Sequence, residues 1–170
     1  MTANLPIGDF AWLYDGQVLD YIIERKKADD LLSSIIDGRY KEQKFRLKSS
    51  GFSNIFYLFE GHLKGANALS ERSVQAALLK TRIKDGFKVV SVATISESVR
   101  FLNFLTESIE RRLQSEGAIA AMGTFEEFLQ ASSKGSRITV KQIFGLSLKT
   151  IPGVGKSSVG EVLKYFSSFR

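Results

Sequence analysis

The chain has 170 residues, 44% of them hydrophobic and 25% charged, with a formal net charge of +6, enough for one domain with a real core plus a small module and a lean toward polyanionic partners. Cysteine is absent, which excludes disulfides and thiolate metal sites, and the one histidine, His62, cannot build a histidine-rich metal centre and reads as a surface residue beside a loop. Any metal must therefore be held by carboxylates, which suits Mg2+ or Mn2+. Met1-Thr2-Ala3-Asn4 has no signal-peptide pattern, and no apolar run approaches the ~18 residues of a membrane span, so a soluble, intracellular protein with no membrane partner is expected.

In chain order, Ile7–Leu13 reads as a strand, Asp15-Gly16 as a tight hairpin turn, and Val18–Lys26 as the returning strand. Alternation puts Asp20, Ile22, Glu24 and Lys26 on one face and Leu19, Tyr21, Ile23 and Arg25 on the other. A helix follows over Ala28–Ile36, broken by Asp37-Gly38, and a second over Arg39–Ser50, ended by Gly51. Ile55–Phe59 is a short apolar strand, and Ser70 caps a helix running to Arg82. Phe87–Val92 is the next strand. Thr94 and Glu97 form a capping pair that opens a long helix to Leu113, with Val99, Leu102, Leu105, Ile109 and Leu113 as its inward stripe. Strand-helix alternation from residue 55 onward predicts parallel pairing with right-handed crossovers. The expected fold is α/β, a mixed sheet with helices on both sides.

The character changes near Gln114. Ser115–Gly123 is rich in small residues and Ser132–Ser136 is linker-like, with a weak helix at Phe125–Ala131 between them. The expected organisation is a main domain over 1–113, a linker over 114–137, and a small helical unit over 138–170. In that unit, helices Val140–Lys149 and Ser157–Phe166 flank the turn Ile151-Pro152-Gly153-Val154-Gly155-Lys156.

The sharpest chemical feature is Glu24-Arg25-Lys26. Alternation aims Glu24 and Lys26 at one side, with Asp20 beside them and Asp9 on the neighbouring hairpin strand. A carboxylate to hold a metal and an ammonium to position or deprotonate water and to offset phosphate charge suit phosphodiester hydrolysis. The competing reading is a charged end on an exposed edge strand. The company of the triplet favours the first: Gly8-Asp9, an apolar strand, Glu24-Arg25-Lys26, three residues, then Asp30.

The pattern GD…ERK-x-x-x-D resembles the signature of the XPF-type structure-specific endonucleases. The flanking text from Val18 to Leu31 and from Ser33 to Lys48 is similar to the MUS-type crossover-junction branch of that family, on the catalytic side. The resemblance covers residues 5–113 well and the C-terminal part loosely. It implies a restriction-endonuclease-like core with a C-terminal helix-hairpin-helix unit and Mg2+ or Mn2+. It further implies cleavage of branched DNA (3′ flaps, replication forks, nicked four-way junctions) in repair and recombination. Nuclear localisation follows, as does pairing with a non-catalytic paralogous subunit, or a homodimer. By position, Asp9 and Glu24 would bind metal, Lys26 would serve water and phosphate, and Arg25 and Asp30 would complete the motif; Asp20 and Asp29 are second-rank additions. Family members carry an acidic strand ahead of the Gly-Asp pair and a second helix-hairpin-helix, which this sequence does not show, and its loop between the two strands is short. A non-catalytic DNA-binding scaffold of the same fold is therefore the alternative.

Two further stretches suit DNA. Arg39–Lys48 has five basic residues, Arg39, Lys41, Lys44, Arg46 and Lys48, against the single acid Glu42, directly after the catalytic strand; it is expected to contact phosphates. Gly153 and Gly155 would let the backbone approach a phosphate, with Lys156 adding charge. Finally, Phe101, Phe104 and Ile109 spread apolar character around the long helix, and Val159, Val162, Leu163 and Phe166 need cover. Pairing of subunits through these faces is expected.

Overall fold

The computed structural model describes residues 5–62, 68–117 and 119–135, with the backbone alone at 68 and 131–135. The chain divides into Met1–Leu129 and Gln130–Arg170; the expected helix-hairpin-helix, with Gly153, Gly155 and Lys156, lies outside the described residues.

A two-residue turn sets the fold in motion. Asp15 and Gly16 both adopt positive φ, +48° and +72°, the pairing that matches the natural twist of a hairpin. It joins β1 (Phe10–Tyr14) to the longer β2 (Gln17–Lys27) in antiparallel register, Tyr14 opposite Gln17 and Leu13 opposite Val18. Two helices, α1 (Ala28–Ile36) and α2 (Arg39–Ser49), carry the chain to β3 (Asn54–Glu60), which lies parallel to β2. Helix α3 (Ala68–Ile83) then crosses to β4 (Lys88–Val92), parallel to β3. Helix α4 (Ile95–Glu116) opens as expected: the Thr94 hydroxyl accepts from Glu97 N–H and the Glu97 carboxylate accepts from Ala93 N–H. Its end comes later than expected, at Gly117 with φ +71°.

The sheet order is β1-β2-β3-β4, and a short β5 (Ala121–Thr124) pairs antiparallel with the start of β2. The stretch expected to be a linker thus holds a strand. Its successor α5 (Phe125–Gly135) is capped reciprocally by Thr124 and Glu127 and buries Phe128 against Phe52. Burial of that ring removes a large apolar area from water, roughly 2–3 kcal/mol, more than a four-residue strand could supply alone.

The alternation of β2 divides the interior into two layers. Val18 and Ile22 face α1, α2 and α3, meeting Leu31, Tyr40, Leu47, Tyr57 and Val74. Tyr21 and Ile23 face the other way with Leu58, onto Leu105 and Ile109 of α4. The mixed sheet with helices on both sides is therefore as expected. Val99 is a correction: it is 49% exposed, and Ser98 turns inward instead, because its hydroxyl donates to Glu60. Phe101 packs on Phe56 and Ile109 is buried inside the chain. The ridge expected to meet a second subunit is thus largely filled by the sheet, and Ile95, Val99 and Phe104 remain exposed.

Candidate active site

The acidic groups gather where β2 ends and the chain enters α1, at the carboxyl end of the parallel strands, where open α/β sheets usually place their chemistry. Asp9 precedes β1 and is exposed. Its backbone N–H donates to Ile23 carbonyl at 2.7 Å, and its Oδ2 accepts the Arg25 backbone N–H at 2.7 Å. Gly8 makes this approach feasible. Its φ is +68°, and a Cβ there would lie 2.7 Å from the Ile22 side chain at Cγ1, which would have to shift, and 3.1 Å from Ile23 carbonyl oxygen, a tight contact at a backbone angle that favours glycine.

Glu24 stands on the same face as Ile22, half-buried between this loop and Tyr57, its partner across the parallel ladder. Burial chiefly, and the Asp9 carboxylate next, push its pKa from 4.5 up to about 7, against smaller opposing pulls from Lys26 and Arg46. Glu24, half-buried beside a second carboxylate, holds its proton more tightly than a free carboxyl, and a cation would displace it. Lys26, two residues on, has no hydrogen bond or ion pair among the described residues. Tyr57 is 1% exposed, and its hydroxyl alone among the buried side-chain polar atoms described has no hydrogen-bond partner. Burial, Tyr40, Glu24 and Asp9 all push its pKa upward.

Arg25 points to the opposite face. Its guanidinium forks onto Glu60, Nε to Oε2 at 2.8 Å and Nη2 to Oε1 at 2.5 Å. Ser98 donates to the same carboxylate at 2.5 Å. The Arg25 fork first, and the Ser98 bond next, hold Glu60 below the usual carboxylate range, and the bond to Glu60 raises Arg25 above its own. Arg25 therefore fixes the site from behind, through its side chain on Glu60 and its backbone on Asp9, rather than reaching across it. Glu60 and Ser98 were not singled out from the sequence. The readable sign was an acid closing the apolar run Ile55–Phe59.

The remaining acids separate. Asp20 is buried, but its carboxylate accepts from Ser53 N–H at 2.6 Å and Asn54 Nδ2 at 3.3 Å, anchoring the entry to β3. Asp29 and Asp30 are exposed in the first turn of α1. Asp30 lies near enough to raise the proton affinity of both Arg25 and Arg39. Asp29 shows no carboxylate bond among the described residues; its carbonyl accepts from Ser33.

The basic residues of α2 divide by helical spacing. Arg39 and Arg46, seven apart, share a face. Arg46 reaches Pro6 carbonyl at 2.8 Å and is felt at Glu24, while Arg39 pairs with the neighbouring Asp37 in the open. Lys41, Lys44 and Lys48 share the opposite face, along a cleft toward α3. Lys44 departs from expectation. It is 7% exposed, bonds Asp85 at 2.5 Å and Thr81 at 3.1 Å, and lies over the Tyr40 ring; that ammonium is spoken for. Of the five expected phosphate contacts, Arg46 is felt at Glu24, Arg39 shares its face of α2 and lies near Asp37 and Asp30, and the three lysines line the opposite face.

No His, Asp or Glu cluster of three or more suited to a metal occurs among the described residues. Asp9 and Glu24 remain a fit for a hard cation of the Mg2+ class, which commonly takes one or two protein carboxylates and completes its shell with water and substrate phosphate.

The mixed sheet with helices on both sides is an α/β fold that recurs in a solved structure. The XPF protein from Aeropyrum pernix, in complex with DNA, superposes with a TM-score of 0.50 at 23% identity, over 98% of this chain and 69% of that one. The ERCC4 domain model matches residues 1–105, and the chain belongs to the ERCC4-domain family. It is 34% identical to the structure-specific endonuclease subunit MUS81 of Danio rerio, over 97% of this chain and 34% of the relative. It is 36% identical to the crossover junction endonuclease MUS81 of Oryza sativa subsp. japonica, over 94% and 26%. The chain thus spans between about a quarter and a third of the length of these curated relatives.

Proposed function

We propose that this chain is the catalytic unit of a structure-specific DNA endonuclease that hydrolyses phosphodiester bonds in branched DNA (3′ flaps, forks, nicked four-way junctions) during repair and recombination. The observation that carries the reading is Glu24, driven to a pKa of about 7 beside Asp9 with Lys26 unpaired among the described residues. This is the electrostatic demand that a divalent cation would relieve. Asp9 and Glu24 would hold Mg2+ or Mn2+, which when bound supplies Lewis-acid polarisation of the phosphate and acidifies a water.

The chain's own side chains do the rest. Lys26 places a positive charge beside the phosphate as its negative charge grows, and orients the water. Arg39 and Arg46 hold the DNA backbone next to that water through sequence-independent phosphate contacts. Arg25, clamped by Glu60, keeps Asp9 aimed. Asp30, exposed in the first turn of α1, adds a small favourable charge toward Arg25 and Arg39. A nuclear location and a heterodimer with a catalytically degenerate paralogue go with this reading, a homodimer being the second option. The exposed Ile95 and Val99 of α4 give such an interface apolar surface.

The deciding experiment is cleavage of flap and fork DNA, with and without Mg2+, by the assembled enzyme and by Glu24→Gln. Loss of cleavage with retained DNA binding supports the proposal. Full activity of the variant, or of the wild type in chelator, overturns it. The second reading, a non-catalytic DNA-binding scaffold, draws on the acidic set of two rather than three among the described residues; it predicts binding without Mg2+-dependent cleavage by any assembly.

A further inference from the structure

Behind the basic face that borders Glu24, α2 and α3 enclose a cleft of about 460 Å3. Its walls are mostly apolar, with Ile35, Phe45, Ala76 and Ala77 among them, and Lys44 is neutralised at its floor by Asp85. Four other lysines stand around it, Lys41 and Lys48 from α2 and Lys80 and Lys84 from α3. All four are exposed, and none forms an ion pair among the described residues. Phe45 is 56% exposed, and the adjoining ridge of α3 presents Leu79 at 58% and Ile83 at 74%. Helical spacing puts Ala76, Leu79 and Ile83 side by side. An apolar trough with an apolar ridge beside it and unpaired cations on both banks is unlike ordinary solvated surface.

We propose that this cleft is a docking groove for an acidic amphipathic helix of a partner protein. The helix would set an apolar ridge into the trough and against Leu79 and Ile83, while its carboxylates meet Lys41, Lys48, Lys80 and Lys84. This is recognition by a helix lying in a groove.

Charge complementarity selects that occupant. Residues 130–170 of this chain carry seven lysines and arginines against one acid, Glu161, the wrong sign for four free ammoniums. A second copy, at net +6, is also the wrong sign. A nucleic acid has the right charge, but a single strand binds by stacking on successive aromatic rings, and Phe45 is the only exposed ring at a trough otherwise walled by alkyl groups and small alanines. Duplex phosphates gain nothing from burying Leu79 and Ile83. The groove also lies on the face of α2 opposite Arg39 and Arg46, so a partner there leaves the acidic site open.

The test uses the full chain and a fluorescent peptide of about four helical turns with leucines at i, i+3, i+4 and i+7 and glutamates on its flanks. Polarisation should give binding on the order of 10 µM. Lys80→Glu with Lys84→Glu, both on exposed positions, should weaken it by at least about tenfold, and Ala76→Trp, which plugs the trough, should do the same. A peptide of identical composition in scrambled order should not bind, and an oligothymidine should not displace the helical peptide. Branched-DNA affinity of the double lysine variant should be unchanged. The proposal is overturned if the helical peptide fails to bind, or binds the variants as well as the wild type. It is equally overturned if the scrambled peptide binds as well, or if oligothymidine competes and the lysine variant loses DNA affinity, which assigns the surface to nucleic acid.

Discussion

Arg25 and Glu60 meet across the β2–β3 ladder in a two-pronged ion pair, 2.8 and 2.5 Å, that carries a third bond from Ser98 of α4. Strand, neighbouring strand and covering helix are thereby fastened at one point, directly behind the acidic pair. Glu60→Gln should destabilise the fold by about 1–2 kcal/mol, since it leaves a half-buried guanidinium with a weaker acceptor. Glu60 is depressed in the fold, so its contribution is present above its ordinary value of 4.5 and is lost as pH falls through the depressed value. Urea denaturation at pH 7 and in acid checks this: the gap between wild type and variant should shrink in acid, and a gap independent of pH would mean that the pair adds no electrostatic stability.

Glu24 has the opposite sign. Its pKa rises from 4.5 to about 7, so the folded state binds the proton more tightly than the unfolded chain. Its own contribution to stability is fully present below pH 4.5 and is given up as pH rises through about 7. Glu24→Gln should therefore match wild type near pH 4 and exceed it at pH 8, by at most about 3 kcal/mol. Mg2+ at pH 8 should raise the Tm of wild type alone and narrow that difference. Thermal melts across this pH range decide it; a variant no more stable than wild type at pH 8 would contradict the crowding of Asp9 and Glu24.

Arg39 and Arg46 should behave unlike Lys44. Replacing both arginines with alanine should shallow the salt dependence of DNA binding by about one unit of slope per lost contact, with little change in stability. Lys44→Ala should leave the slope alone and cost about 1–3 kcal/mol, because Asp85 loses its partner at a half-buried position. Binding isotherms at several salt concentrations, beside denaturation curves, separate the two; a shallower slope for Lys44→Ala would return that lysine to the DNA.

Gly8→Ala should be severe for its size. The added methyl meets Ile22 and Ile23 carbonyl at a φ of +68°, a cost of about 1–3 kcal/mol, and relief of the clash moves Asp9. Denaturation and Mg2+ titration should both register the change. Wild-type metal affinity in this variant would show that the Asp9 loop has room to spare.

Much of this arrangement was legible because its signals are local. Asp15-Gly16 declares its turn, and alternation along β2 places Glu24 and Lys26 on one face and Arg25 on the other without knowledge of the rest. Thr94 and Glu97 announce α4. What escaped depends on partners far along the chain. Helical spacing sets Lys44 on one face with the apolar Tyr40 and Leu47, a sign of burial, but its partner Asp85 lies 41 residues later and cannot be read locally. Strand β5 is four residues, Ala121-Met122-Gly123-Thr124, that pair with Gln17 and Leu19, and only Thr124 among them is of a type favoured in strands. The Thr124–Glu127 capping pair beside it was readable and marks where α5 begins. Ser98 turns inward at the expense of Val99 because of Glu60 on another strand, a preference that periodicity alone cannot supply.

The turn at Asp15 and Gly16 also bears on the order in which the site is made. It joins the two stretches that hold Asp9 and Glu24, so the acidic pair is brought together by closing a two-residue loop, an event on the order of microseconds. Strand β3 waits for a crossover of two helices, and β5 for nearly the whole sheet, with longer loops to close. The carboxylates therefore meet first in water, where they repel weakly, and are dried afterwards when Tyr57 and the helices arrive. Folding kinetics would register this as slower folding in Val18→Ala, and as faster unfolding with little change in folding rate in Val89→Ala. The reverse pattern would put the parallel strands ahead of the hairpin. On the expected order, the crowding that lifts Glu24 is a late product of folding, imposed on a pair already in place.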